Sequence, residues 1–414
     1  MNSRKMTQEK TNVIIFGGGI VGSLLALILA ENGMRVVLIE KKSLEDLSSD
    51  YYDGRSYALN AGTKNLLSFL DIWDEIREKV QTVSKVLLQQ GLETSRPQPL
   101  ELKLSNYEIG ASSIFHMVED RFLKNVILKK IKKSTNITHL TSKIVKSQRV
   151  KGSLIEITLN DGFILKSEIA IGADGFPSRS ATRAKVRSSG WNYNQSSIVG
   201  VVRHENNHEN QAIQFFLPAG PLAILPLTGN RSCYVWTMDT KEAKLINKLD
   251  GEQYLEKLTE VFNNFRGKLT LDTPKSIFPL SLAMARSLVK ERFALVGDSA
   301  HNIHPIAGQG LNLGIRDVAC LSEVLILASR NGEDIGGAVV LDRYSKWRHS
   351  DILALSLFTD VTNKIFSNDN AILQISRGLA FNLINRSPII KKYLMKEASG
   401  SIGDVPKLLE GKEI

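Results

Sequence analysis

Three groups of residues have the types and spacing to hold a large anionic ligand against the backbone. The first is Gly17, Gly19 and Gly22 in G-x-G-x-x-G spacing, followed by Glu40. In such a turn the first glycine permits the tight bend, the second lets a pyrophosphate approach, and the third lets helix and strand pack closely. A carboxylate about twenty residues on accepts ribose hydroxyls. The second group is "DGRSYALN", Asp53 to Asn60, where Arg55 has the fork geometry to pair with phosphate. The third is Asp298 and the stretch "HPIAGQGLNLGIRD", residues 304 to 317. Asp298 has the chemistry to hold a polyhydroxyl chain. Gly308 and Gly310 clear side chains from a helix start, whose free N–H groups and dipole favour negative charge.

The elements around these residues are legible as well. "VIIF" reads as a strand covered on both faces, "SLLALILAEN" as a helix stopped by Gly33, and "RVVLIE" as a second strand ending in Glu40. "EIAIGADGFPS" is a strand running into a second turn at Gly172, Asp174 and Gly175. "FALV" is a third strand, ended by Gly297 and Asp298, and "LNLGIRDVACLSEVL" is a helix beginning after Gly310. A βαβ start that returns to the same sheet after residue 290 is an α/β pattern of Rossmann type. There is no second G-x-G-x-x-G for a resident nicotinamide dinucleotide. The glycine motif alone does not choose between NAD and FAD.

Composition narrows the class. A length of 414 residues accommodates two domains. The net charge of +10 would suit nucleic acid or anionic lipid, but the basic residues are scattered and no stacking-aromatic pattern accompanies them, so nucleic acid is not expected. Two distant cysteines, Cys233 and Cys320, suggest a reducing compartment. No apolar run is long enough to span a bilayer, and no secretory signal is evident.

At His304-Pro305-Ile306-Ala307-Gly308-Gln309-Gly310, with Asn312, Gly314 and Asp317, the chain resembles the FAD monooxygenases of ubiquinone biosynthesis, the UbiH, UbiF and VisC type. "DGRSYALN" is similar to the family's D-x-R-x-x-A-L-S, with Asn60 in place of Ser. "GADG" resembles its second dinucleotide motif, "WNYNQSSIVG" its W-x-Y-x-Q segment, and "GPLAILPL" and "FPLSLAMA" its substrate-sheet strands. "VEDRFL" places Arg121 where the family has a flavin-contacting arginine, and the C-terminal tail is similar too. One position departs: Ala181 stands where the family has an arginine, with Arg179 and Arg183 to either side.

The resemblance implies an aromatic-hydroxylase fold: a Rossmann-like FAD-binding domain (1–185 and 286–345), an inserted substrate sheet (186–285) and a C-terminal helical region (346–414). It implies FAD, NAD(P)H and O2, with oxygen passing from a flavin hydroperoxide to the ring of a polyprenylated phenol or benzoquinol. The cofactor set so expected is Gly17, Gly19, Gly22, Glu40, Arg55, Arg121, Asp174, Asp298, Pro305, Gly308, Gln309, Gly310, Leu311 and Asn312. A related flavoprotein acting on another aromatic or reducing a prenyl chain is an alternative. A non-catalytic flavin-bearing subunit is another.

No acid or base stands out among the seven histidines. His304 reads as a loop-holding residue. "HENNH", His204 to His208, matches a zinc-protease motif in letters only: its flanks are strand-like and it reads as a hairpin loop, so no metal is expected. "AILPLTGNRSCYVWTMD" reads as a hairpin around Thr228, Gly229 and Asn230, and Phe215, Phe216, Pro218 and Pro221 are candidate pocket walls or core. Ala371 to Lys396 carries Arg377, Arg386, Lys391, Lys392 and Lys396 without an acid, beside Ile372, Ile375, Leu379 and Leu383 at helical spacing. Such a segment docks on its own domain, on a partner, or on an anionic membrane. The expected location is cytoplasmic, with the cytoplasmic face of the inner membrane as the alternative.

Overall fold

The computed structural model describes residues 11–49, 51–91, 100–217, 219–262, 266–303, 308–366, 387, 389, 391–392, 395 and 403–414, with backbone only for 353–366. Strand β1 (Thr11–Phe16), helix α1 (Ile20–Glu31) and strand β2 (Val36–Ile39) form the opening βαβ unit. Strand β3 (Ser56–Leu59) pairs with β4 (Phe115–Glu119), which leads directly into α2 (Asp120–Lys133) and β5 (Ile137–Leu140). Strand β6 (Ile164–Gly172) closes the first pass. The inserted sheet follows as β7 (Ser188–His204), β8 (Gln211–Leu217), β9 (Gly220–Leu227), β10 (Arg231–Asp239) and β11 (Ser276–Ala285). The chain returns through β12 (Phe293–Leu295) to α3 (Gly310–Arg330) and α4 (Ala338–Phe366).

Five parallel strands run in the order β12, β6, β1, β2, β5. All four residues of β2 and Val13 to Phe16 of β1 are buried, as expected of strands covered on both faces. Helix α1 is buried nearly all round because it is packed between α2 and α3. Register brings the motifs together. Phe16 is level with Ile39 and with Gly172, and Gly172 is level with Leu295. The turns after β1, β2, β6 and β12 therefore leave the sheet along one edge, where open α/β sheets bind ligands.

The second sheet runs β11, β7, β10, β9, β8, then Lys85–Gln90 and Leu100–Ser105. The last two strands come from the N-terminal segment, and Lys85–Gln90 pairs in parallel with β8, so this sheet is not confined to residues 186–285. The β9–β10 hairpin turns at 228–230 as expected, with Gly229 at φ 76°. One face of the sheet is covered by Thr240–Lys248 and Gly251–Phe262, around Tyr234, Trp236, Tyr254 and Phe262. The other meets the first domain through Tyr52, Ala58, Val83, Met117, Val199, Val201 and Cys233.

Candidate active site

The first glycine turn divides its work as its spacing predicts. Gly17 has φ 106°, and a Cβ there would lie 2.4 Å from the Ala173 carbonyl oxygen. A Cβ on Gly22 would lie 2.1 Å from the Gly17 carbonyl oxygen. Both positions are closed by backbone. Gly19, at the start of α1, has nothing within 4 Å of the Cβ it lacks. That side of the turn is open, where a phosphate would approach the helix N-terminus. Glu40 is buried beside it and accepts from the backbone N–H of Gly18 at 2.7 Å and of Lys42 at 2.8 Å. It thus ties the second strand to the turn. A carboxylate has about four acceptor sites, so capacity remains for a ribose.

The second turn follows β12. Gly297 adopts φ 62°, and Cβ atoms on Gly297 or Gly314 would press on Val21 of α1, which locks this turn and α3 against the first turn. Asp298 is surrounded by protein mass, yet its own surface is exposed, as at the floor of an open cleft. Burial raises its pKa; His301 opposes this and Asp317 adds to it. No described residue bonds its carboxylate. A cleft of about 110 Å³ opens beside it, lined in part by Phe176, Ser178, Ala283, Ser299 and Ala300. Gly308 (φ 63°) lies against Ala58 of β3, Gln309 caps α3, Leu311 is in its first turn, and Gly310 is as open as Gly19.

Beneath this turn lies a charge network that sequence reading did not assemble. Asp317, fully buried, accepts from Gly297 N–H at 2.8 Å, from His301 Nε2 at 2.5 Å and from Arg348 Nε at 2.7 Å. Burial would raise its pKa, but the charges of His301 and Arg348 outweigh that and hold it below the usual range. Arg348, also fully buried, continues to Asp351 at 2.5 Å, and Arg316 meets Asp351 at 2.8 Å and the carbonyl of Asp404. The available signal was Asp317 within the 304–317 stretch; its arginine partner lies 31 residues on, beyond any local pattern.

A polar wall stands toward the second sheet. Arg55 pairs with Asp53 at 2.7 Å and lies 5.7 Å over the Phe278 ring. Arg121 pairs with the buried Glu119 at 2.7 Å and sits 4.7 Å from the centres of both Tyr52 and Phe122. Glu119 also receives Arg231 of β10 at 2.6 Å, and Arg231 reaches Asp272. This chain ties the two sheets together.

Several expectations change. Asp174 accepts from Ser178 Oγ at 2.7 Å and from both N–H and Oγ of Ser180, at 2.8 and 2.7 Å. Its carboxylate closes its own turn. Asn312 accepts from Asn60 N–H and Thr63 Oγ1 and donates to the Ala58 carbonyl, so its side chain clamps α3 to β3. Pro305, with His304, Ile306 and Ala307, lies outside the described residues, as does Pro218. Phe215 and Phe216 are both buried, on opposite faces, and Pro221 is buried too. The 204–208 segment is not a hairpin loop, because β9 and β10 lie between the strands it joins. His204 binds Ser232 and the Asn206 carbonyl; His208 donates to the carbonyls of Leu227 and Gly229 and accepts from Asn210 N–H. The acceptor nitrogen of His208 needs a neutral ring, and burial lowers both pKa values. Among the described residues no His, Cys, Asp and Glu cluster suits a metal, and no helix is long and apolar enough to cross a membrane. Most of Ala371–Lys396 lies outside the described residues. Within it Lys391 docks on Glu108 at 2.9 Å and on the Lys103 carbonyl, at the edge of the second sheet.

Two open-backed glycines, a helix start behind each and a free carboxylate in the cleft fit a dinucleotide carrying an extended polyhydroxyl linker, which is the chemistry of FAD. Comparison with known proteins agrees. Residues 10–356 match the FAD binding domain family. The chain is 34% identical over 403 residues to the ubiquinone hydroxylase UbiL of Rhodospirillum rubrum, covering 97% of this chain and 92% of the relative. It is 31% identical to the 3-demethoxyubiquinol 3-hydroxylase of Escherichia coli, covering 95% of this chain and all of the relative. The crystal structure of p-nitrophenol 4-monooxygenase PnpA from Pseudomonas putida superposes with a TM-score of 0.79 at 18% identity, covering 99% and 100% of the two chains, and shows the shared fold. With FAD as its cofactor, the chain belongs to the FAD-dependent aromatic monooxygenases, in the branch that holds the UbiH- and UbiF-type hydroxylases.

Proposed function

We propose that this enzyme hydroxylates the aromatic ring of a polyprenylated phenol or benzoquinol on the way to ubiquinone, with NAD(P)H and O2 as co-substrates. The observation that carries the reading is similarity above 30% identity to two ubiquinone hydroxylases over nearly the whole chain, cofactor turns and second sheet included. FAD, when bound, supplies reduction by the nicotinamide and activation of O2; the protein supplies position and electrostatics. Gly17, Gly19 and Gly22 would seat the pyrophosphate, with Glu40 at the ribose and Asp298 at the polyhydroxyl linker. The N–H groups around Gly308, Gln309, Gly310 and Leu311 would face the electron-rich end of the ring system. Arg55 and Arg121, each held by its carboxylate, would border the cofactor on the side of the second sheet. Val199, Val235 and Phe278 add apolar surface beside these arginines, which would help keep water from the reacting centre.

A lipid substrate also favours placement on the cytoplasmic face of the inner membrane. The support is the basic composition of Ala371–Lys396, of which Lys391 is already engaged with Glu108. The test is mass spectrometry of quinones from cells with and without the protein. A precursor one oxygen short that disappears on re-expression is expected. An unchanged quinone pool beside a purified protein that holds FAD would sink the substrate assignment and keep the cofactor.

A further inference from the structure

Strand register sets six side chains in one line across the second sheet. Val199 of β7 is level with Val235 of β10, Val235 with Ala223 of β9, and Ala223 with Gln214 of β8. Gln214 is level with Leu88, and Leu88 with Leu102 on the edge strand. At ordinary strand spacing the line is about 24 Å long. The chain neighbours of these residues point to the other face, where Leu222, Ile224 and Tyr234 are fully buried under the two helices. On this face Val235, Ala223, Gln214 and Leu88 are only half-buried, although all four lie on inner strands. A sheet face that meets water carries polar residues. This line has one, Gln214, so it is built for an apolar occupant. Its inner end joins the cofactor border: Val199 and Val235 share a cluster with Phe278, whose ring lies 5.7 Å from the Arg55 guanidinium. At its outer end Leu102 clusters with Leu88, Leu104 and Phe216. Beyond that end stand the two most exposed large apolar side chains among the described residues, Tyr107 at 86% and Ile389 at 82%. Tyr107 is in the turn that follows the edge strand. Lys391, two residues after Ile389, bonds to Glu108 of that turn and to the Lys103 carbonyl.

We propose that this line seats the polyprenyl chain of the substrate, which runs from the aromatic ring near Phe278 across the second sheet and leaves at the edge marked by Tyr107 and Ile389. This deepens the substrate reading above and rests on it. A prenyl chain has no hydrogen-bonding group, so it needs only apolar surface and exclusion of water. Val235, Ala223 and Leu88 supply that surface, and the small Ala223 at its middle leaves room for a methyl-branched chain. Gln214 is the one polar point along the way. At the outer end an aromatic and an aliphatic side chain beside Lys391 and Lys392 suit the boundary of an anionic bilayer, where the rest of a long chain stays. The ring thus reaches the cofactor border while the far end of the chain remains in lipid.

The test is binding of two phenols to the FAD-loaded full chain, one with a short prenyl group and one with a long polyprenyl chain, in the same detergent. Binding is read from the perturbation of the flavin absorbance. Wild type is expected to hold the long-chain phenol more tightly. A223W fills the middle of the line and is expected to lower the long-to-short affinity ratio about tenfold. Q214L removes the polar point and is expected to raise that ratio about threefold. Circular dichroism and FAD content establish that each variant folds; should A223W not fold, Q214L decides. A wild-type ratio in folded A223W, or in Q214L where it decides, would overturn the proposal, as would equal affinity of wild type for the two phenols. Wild-type protein that holds FAD but binds neither phenol would instead overturn the substrate reading on which the proposal rests.

Discussion

The two glycine turns at the sheet edge are built to opposite plans. In the first, the glycines are mostly structural: Gly17 and Gly22 are closed by backbone within 2.4 and 2.1 Å of an added Cβ, and the nearby carboxylate, Glu40, is bonded to Gly18 and Lys42. In the second, the buried and the exposed positions fall to different carboxylates. Asp317 is buried and saturated by Gly297, His301 and Arg348, while Asp298 has no described partner and an exposed surface. One aspartate is held below its ordinary pKa and the other above it. A turn that must support a ligand's weight on backbone alone needs close packing. A turn that must offer a free charge needs a second, buried charge to hold it in place.

The sharpest way to break this contrast is Asp317→Ala. It leaves Arg348 buried without its main partner, and a loss of about 3–5 kcal/mol in unfolding free energy is expected from chemical denaturation. A loss below about 1 kcal/mol would show that the network does not hold the second turn. Next is Gly17→Ala, which combines a left-handed backbone with a clash against Ala173. About 2–3 kcal/mol of destabilisation is expected by the same measurement.

Gly19→Ala and Gly310→Ala sharpen the contrast from the other side. Each adds a methyl to open space, so stability should stay within about 0.5 kcal/mol. FAD affinity should fall about tenfold, read by titration of the apoprotein. Equal stability and equal affinity would mean that no ligand approaches these two positions.

Asp298→Asn is expected to act on stability in the opposite direction, as a small gain. Folding raises this group's pKa, so its ionised form is disfavoured in the fold at neutral pH and that penalty grows as pH rises above the unfolded value. The variant apoprotein should gain up to about 1 kcal/mol at pH 7 while binding FAD more weakly. Asp317 has the opposite sign. Its depressed pKa gives stability that is present above the unfolded value of about 3.8 and lost as pH falls through the lower folded value. Acid titration of wild type should therefore lose stability below about pH 4 from this network, and a stability curve flat from pH 5 to 2 would contradict it.

Much of the first turn was legible because its whole mechanism is local. Gly17, Gly19, Gly22 and Glu40 sit within one βαβ unit, and strand and helix periods fix their places. Asp298 and the start of α3 at Gly310 were legible for the same reason. The structural tasks of Asp174 and Asn312 were not legible because a polar residue in a motif looks the same whether it faces a ligand or its own backbone. Only the fold shows that Ser178 and Ser180 occupy one, and Asn60, Thr63 and Ala58 the other. The 204–208 loop was misread because strand order, not local polarity, decides which strands a loop joins.

The sequence by itself therefore determined the α/β core and the residues that clear space for a ligand, since these follow from turn geometry and hydrophobic period, while FAD came from the resemblance of its motifs to a known family. Tertiary structure alone decided which carboxylate is free, that Arg348 is the partner of Asp317, and that Lys85–Gln90 joins the second sheet. Those contacts span from tens to hundreds of residues, and each depends on strand register that no local pattern encodes.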